Sequence, residues 1–208
     1  MLLTESTLKQ FSEVLASNVP APGGGSVAAL NGTLSAALLQ MTGNLTVGKE
    51  KYKEFHGEVQ EIIECARKLQ NKLLIGIDED TAAFNRVCGV FSMPKETSDQ
   101  KAARSDAMQS ALKDAAATPL ETMKAAYDCL KLAEAFHGKI NPSCISDMGN
   151  AVLCALAAVR GAWLNVKINL SGLKDEDYKE KTCSQALAIL LPSEKIAEEL
   201  YKKIEQEV

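Results

Sequence analysis

Aromatic residues are scarce in this chain: Phe, Trp and Tyr together make up 5% of its 208 positions. Proteins that bind single-stranded nucleic acid need aromatic faces for stacking, and duplex binders need a clustered basic patch. Neither is present. The net charge is −4 and no block of lysine and arginine stands out, so nucleic acid is not an expected partner. Histidine is scarcer still, with only His56 and His137, far apart and among polar neighbours. Zinc asks for three or four ligands, so no metal is expected. The six cysteines (Cys65, Cys88, Cys129, Cys144, Cys154 and Cys183) include no Cys-x-x-Cys pair. Most lie in apolar helical patterns, where a reduced thiol acts as a small hydrophobe. A disulfide framework belongs to short secreted chains. The start, Met1-Leu2-Leu3-Thr4-Glu5-Ser6, lacks the basic segment and apolar run of a signal peptide. No window reaches the length of a membrane span without charge. A soluble cytoplasmic protein with no membrane partner is expected. Sustained alternation and hairpin signals are missing as well, which excludes a sheet.

What remains is helical periodicity. Leu8, Phe11, Val14 and Leu15 predict a short amphipathic helix within Thr4–Ser17. Val27 to about Thr46 is rich in small residues, with Ala28, Gly32 and Ala36 four apart on one face. Tyr52–Phe91, Ser98–Ala135 and Ser143–Leu170 predict three long helices. Pro119 is expected to kink the second of these. Asp175–Leu191 and Pro192–Val208 predict two more. The fold class is therefore all-α, an up-and-down bundle of long antiparallel helices, with residues 1–208 forming one domain.

Two local features carry possible chemistry. Pro20-Ala21-Pro22-Gly23-Gly24-Gly25-Ser26 breaks the chain just before a helix. The prolines stop what precedes them, the glycines expose bare amides, and Ser26 is placed to cap the helix. A helix start gathers unpaired N–H groups and suits a carboxylate or other anion; a plain connector between two helices reads the same way. The second feature is the stripe Leu73, Ile77, Asp80, Phe84, Val87, Phe91, which steps by four and three like a coiled-coil seam. Asp80 stands in an apolar slot there. A carboxylate on such a seam must be paired, hydrogen-bonded or partly solvated. It is either a structural partner of a neighbouring group or a carboxyl in a cleft, its pKa raised for proton transfer. Asn165 and Asn169, four apart on the semi-buried strip that begins at Asp147, also require partners, whether helices or a ligand.

These stretches resemble the motifs of the formiminotetrahydrofolate cyclodeaminase family. Pro20–Leu30 is similar to its opening signature and Asn44–Tyr52 to its second motif. Asp78-Glu79-Asp80-Thr81-Ala82-Ala83-Phe84 is similar to its acidic motif, and Ser146-Asp147 and Asn165–Leu170 to those of a later helix. They occur in family order. That family includes the C-terminal part of the bifunctional formiminotransferase–cyclodeaminase and stand-alone bacterial methenyltetrahydrofolate cyclohydrolases. The resemblance implies an all-α bundle, a homodimer, and a tetrahydrofolate derivative as substrate without metal. It implies cyclodeamination of formiminotetrahydrofolate to methenyltetrahydrofolate with loss of ammonia, or alternatively hydrolysis of the methenyl bridge. A helical module that binds folate or a partner helix without catalysis is the non-enzymatic alternative. The transferase half is expected to be absent from this chain, making a separate formiminotransferase chain a possible partner. On this resemblance Asp80 transfers the proton, with Asp78 a second candidate in the same motif. Asp147 stabilises the cationic folate or orients the pterin, and Gly23, Gly24, Gly25 and Ser26 present amides to a carboxylate or pterin oxygen. Asn44 belongs to the binding set, Lys49 with Tyr52 suits the anionic glutamate tail, and Asn165 and Asn169 bond the pterin edge.

Overall fold

In a computed structural model that describes residues 2–208, six α-helices follow one another: α1 (Leu8–Leu15), α2 (Gly24–Asn44), α3 (His56–Phe91), α4 (Ser98–Phe136), α5 (Ile145–Ser171) and α6 (Glu176–Glu207). Short 3₁₀ turns at Leu3–Glu5, Glu50–Phe55 and Pro142–Cys144 connect them. No strand occurs among the described residues. Helices α2, α3, α4 and α5 form a ring in which each packs on its neighbours, and α6 lies over α4 and α5.

Cross-helix pairs define the directions. Ser26 meets Asp80 at one end of the α2–α3 contact, and Gly43 meets Ile63 at the other. Lys72 meets Glu121 and Arg86 meets Asp114 across α3 and α4. Gly149 meets Ile204 and Arg160 meets Glu194 across α5 and α6. In each case rising numbers on one helix meet falling numbers on the other, so adjacent helices run antiparallel.

The small residues of α2 let the other helices approach it closely. Ala28, Ala29, Ala36 and Leu39 are buried, with α3, α4 and α5 around them. Gly32 is needed for that approach, because a Cβ there would lie 2.8 Å from Leu73 Cδ2 on α3. By length and composition α5 is apolar enough to cross a membrane; here it packs on α2, α4 and α6, with Met148, Val152, Val159 and Val166 fully enclosed and Leu153, Leu164 and Ile168 exposed.

Several boundaries differ from the periodicity. The first helix is only Leu8–Leu15, capped by Thr7, whose hydroxyl accepts from the Gln10 amide. Only Phe11 is buried there, and Leu8, Val14 and Leu15 are exposed, so its apolar pattern is mostly unspent. Helix α2 begins at Gly24, and its N-cap is Gly23 rather than Ser26. Helix α6 runs through Pro192 unbroken. A proline deletes only one ladder bond, and the next residue, Ser193, is buried with its hydroxyl donating to Ile189 O at 2.7 Å. Helix α4 likewise continues through buried Pro119. All six cysteines are free. Cys65 is exposed rather than packed, whereas burial pushes the Cys129 thiol up to about 12.

Helix lengths open a groove. At 1.5 Å per residue, α2 is about 30 Å long while α3 and α4 exceed about 50 Å. The N-terminus of α2 stands level with Asp80, so α3 continues beyond it for about 16 Å, from Asp80 to Phe91. The seam changes character at that point. Leu73 and Ile77 are buried, Asp80 and Val87 are half-buried, Phe84 is 36% exposed and Phe91 63%. Past Asp80 the stripe faces a groove, because α2 has ended.

Candidate functional site

At the head of that groove lies a cavity of about 250 Å³ between Pro20–Gly25, α3, α4 and α5. Asp80 and Phe84 line it from α3, Ala115 from α4, and Asn165 and Asn169 from α5. Asp80 is the one charged side chain among the lining residues.

The start of α2 holds this carboxylate. Ser26 Oγ stands 2.9 Å from Asp80 Oδ2, and also 3.2 Å from both Ile77 O and Thr81 Oγ1. The hydroxyl has one proton, so donation to Asp80 leaves it free to accept from Thr81. The backbone amide of Ser26 also favours the charged form of Asp80. Gly25 must lack a side chain, because a Cβ there would lie 1.9 Å from Asp80 Oδ1. Ser26 therefore does not cap the helix from outside. It is inside the first turn, and the anion gathered by that helix start is the chain's own Asp80. Burial nevertheless raises the Asp80 pKa above its ordinary value, opposed by the hydroxyl and amide of Ser26.

Asp78 does different work. Its two oxygens accept from the Leu3 amide at 2.6 Å and the Thr4 hydroxyl at 2.8 Å, fastening the N-terminal turn to α3. It does not line the cavity.

The asparagines are held by carbonyls. Asn165 Nδ2 donates to Gly161 O at 2.9 Å, and Asn169 Nδ2 donates to Ala115 O at 2.7 Å across to α4. The second bond has a covalent origin. Ala115 lies four residues before Pro119, which has no amide to offer its carbonyl. The orphaned acceptor takes the Asn169 amide instead. Each asparagine retains one N–H and its amide oxygen.

The other named residues are elsewhere. Asp147 is at the opposite end of α5, about 27 Å from Asn165 along the helix, near Cys144 and Lys49. Asn44 ends α2, and Lys49 and Tyr52 lie in or beside the following 3₁₀ turn. Lys49 O accepts from His56 Nε2 at 3.1 Å, and Lys51 lies over the Tyr52 ring. Within one chain these four residues form no part of the cavity. The chain does not bring them to Asp80, because α2 and α5 are long helices with one motif at each end.

Pro20, Ala21, Ala83, Phe84, Ala115 and Ile168 line the cavity without having been named as site residues. Phe84 and Ile168 were marked only by position: each lies one helical turn along from Asp80 or Asn165. Pro119, four residues after Ala115, was the available signal for the Asn169 anchor.

The profile of the family described as Formiminotransferase-cyclodeaminase matches residues 7–188. Methenyltetrahydrofolate cyclohydrolase of Methylorubrum extorquens is 38% identical over 202 residues, spanning 97% of both chains. Formimidoyltransferase-cyclodeaminase of Rattus norvegicus is 31% identical over 188 residues, 90% of this chain but 35% of the rat protein. The chain thus spans about a third of that bifunctional relative. The crystal structure of formiminotetrahydrofolate cyclodeaminase from Thermotoga maritima superposes with a TM-score of 0.82 at 27% identity, covering 98% of this chain and 96% of that one.

Proposed function

The chain belongs to the formiminotransferase-cyclodeaminase family, whose members process folate one-carbon derivatives, and from that premise we propose that it hydrolyses the methenyl bridge of methenyltetrahydrofolate to 10-formyltetrahydrofolate. The observation that carries this reading is Asp80: a half-buried carboxyl with a raised pKa, held by Ser26 at the head of a cavity with no other charge.

The methenyl bridge carries a positive charge shared by its two nitrogens, and a lone carboxylate in a cavity of low polarity complements that charge. Water attacks the bridge carbon and Asp80 accepts the proton that water gives up. The protonated Asp80 then returns it to the pterin-side nitrogen as the bond from that nitrogen to carbon breaks. The remaining hydroxyl proton leaves to solvent and the formyl group stays on the anilinic nitrogen. One carboxyl acting as base and then acid is worth about 100- to 10,000-fold. Ser26 orients it, and Asn165 and Asn169 offer amide groups to the pterin edge. The 38% identity to a cyclohydrolase over nearly the whole of both chains favours hydrolysis.

Cyclodeamination is the second reading, favoured by the full-length likeness to the Thermotoga maritima enzyme. It passes through the same bicyclic cation, with ammonia leaving as the ring closes, and asks the same proton transfer of Asp80.

Purified protein incubated with methenyltetrahydrofolate and, separately, with formiminotetrahydrofolate decides between them. The expected result is fast loss of methenyl absorbance, with slow or absent ammonia release. Ammonia release as the faster reaction refutes hydrolysis, and Asp80→Asn with unchanged turnover refutes the role of Asp80 in either.

A further inference from the structure

The Ser26 hydroxyl is fully buried and has three polar neighbours for its one proton. Asp80 Oδ2 stands 2.9 Å away, Ile77 O 3.2 Å and Thr81 Oγ1 3.2 Å. Ile77 O does not need a hydroxyl, because inside α3 it already receives the amide of Thr81 four residues on. Asp80 is the nearer acceptor and the charged one, and a hydrogen bond to a charged group is about twice as strong as a neutral one. Asp80 therefore takes the Ser26 proton, and Ser26 Oγ keeps its lone pairs for a donor.

Thr81 is that donor. A threonine inside a helix commonly turns its hydroxyl back to the carbonyl four residues earlier. Thr33, Thr118 and Thr122 do so, at 3.0, 3.2 and 3.5 Å. For Thr81 that carbonyl is Ile77 O, the oxygen that Ser26 approaches from α2, and Thr81 Oγ1 meets Ser26 instead. Among the described residues the Thr81 hydroxyl has no other hydrogen-bond partner. A Ser26 proton turned to Thr81 would leave the half-buried carboxylate without its one side-chain donor among those residues. The protons therefore run one way, from Thr81 to Ser26 to Asp80, and each bond in such a chain strengthens the next by about 10–30%.

Neither hydroxyl lines the cavity, so a change at Thr81 reaches the chemistry only through Ser26 and Asp80. No other charge intrudes on the chain of hydroxyls. Helices α2, α4 and α5 bring no ionisable side chain to the cavity. On α3 itself, Asp78 turns to Leu3 and Thr4, and Glu79 lines a small hollow with Lys72 and Glu121.

Resting on the role given to Asp80 above, we propose that Thr81 is a positioning residue: its hydroxyl donates to Ser26, commits the Ser26 proton to Asp80 Oδ2, and so keeps the carboxylate held at the cavity when water attacks. Without that hydroxyl, Ser26 is free to turn to Ile77 O, and the ionised carboxylate loses part of its support. A group whose charged form loses a hydrogen bond becomes harder to ionise. The base is then ready in fewer molecules, and the proton from water meets a less well held oxygen.

The test follows the Asp80 carboxyl carbon by NMR in full-length protein carrying isotopically labelled aspartate, its signal assigned as the one missing from Asp80→Asn. Thr81→Val is expected to raise the titration midpoint by about half a pH unit, and Thr81→Ser to restore it. Ser26→Ala is expected to raise it by about one to two units, the worth of a hydrogen bond to a charged group. In the Ser26→Ala background, Thr81→Val is expected to add nothing, since it acts through that hydroxyl. In turnover, the acid limb of kcat/KM for loss of methenyl absorbance is expected to move up with the NMR midpoint. For Thr81→Val, kcat is expected to fall by about threefold while KM stays within about twofold. Circular dichroism and Tm confirm folding, and Thr81→Ala takes the place of Thr81→Val if valine prevents it. A wild-type Asp80 midpoint in the folded variant, or a shift as large without the Ser26 hydroxyl as with it, overturns the proposal. The expected shifts in a protein that turns over no folate support the chain of hydroxyls and count against the proposed reaction alone.

Discussion

Gly25→Ala tests the site at its tightest point. The added Cβ would stand 1.9 Å from Asp80 Oδ1, where contacts below 3.0 Å are essentially unknown, so one of them must retreat by at least about 1 Å. The α2 backbone is wedged between α3 and α5, whereas Asp80 ends in a flexible side chain beside an open cavity. The carboxylate is what moves. It leaves the Ser26 hydroxyl 2.9 Å away, a hydrogen bond to a charged group worth about 1.5–3 kcal/mol. Alanine returns up to about 1 kcal/mol through its better helix propensity. The net loss, about 1–2 kcal/mol, lowers Tm by several degrees in a domain of this size and leaves the fold intact. Turnover suffers more. Displacing a catalytic group by 1 Å costs about 100-fold, so kcat for loss of methenyl absorbance is expected to fall by at least that factor. Gly23→Ala provides the contrast, since its nearest neighbour is Pro20 O at 3.9 Å, and kcat is expected to stay within about threefold. A folded Gly25→Ala protein that turns over like wild type refutes the claim that the placement of this carboxylate governs the reaction.

Three further outcomes follow from the same geometry. Burial holds the folded Asp80 pKa above its ordinary 3.8, so the stability it lends is fully present below that pH and is lost as pH rises through the folded value. Asp80→Asn cannot ionise and is expected to be more stable than wild type at neutral pH while turnover collapses; Tm scans between pH 3 and 8 should show the gain vanish at the acid end, and a gain constant across pH contradicts the assignment. Asn169→Ala orphans Ala115 O at a cost of about 1–3 kcal/mol, and Pro119→Ala supplies an amide to that carbonyl. The double variant is therefore expected to be less destabilised than the sum of the singles, and strict additivity in denaturant titrations refutes the link between proline and asparagine. Lys49→Ala, remote from the cavity, is expected to change KM less than twofold, and a tenfold rise overturns a site contained at one end of the bundle.

The helices were legible because their periods are long and uninterrupted, and the errors fall where proline or glycine was given its usual meaning. Pro192 did not divide α6, since a long helix loses only one ladder bond at a proline. Gly24 and Gly25 did not wait outside α2 for Ser26 to cap it; they are its first turn, as contact with Asp80 requires. Asp80 was legible as a carboxylate out of place on an apolar seam. Its partner was not, because nothing in the spacing of residues 25 and 26 names residue 80. The separation of Asp147, Lys49 and Tyr52 from Asp80 was equally hidden: order along the sequence does not say at which end of the bundle a motif falls.

The glycine turn also reverses the charge that its sequence advertises. A bare helix start gathers partial positive charge and draws an anion, which makes an anionic ligand the natural expectation at Gly23–Ser26. Here the anion is already supplied from α3. Asp80 takes the Ser26 hydroxyl, and no second charge lines the cavity to neutralise what remains. What the helix start offers to solvent is therefore a positioned carboxylate, and its preferred guest is a cation.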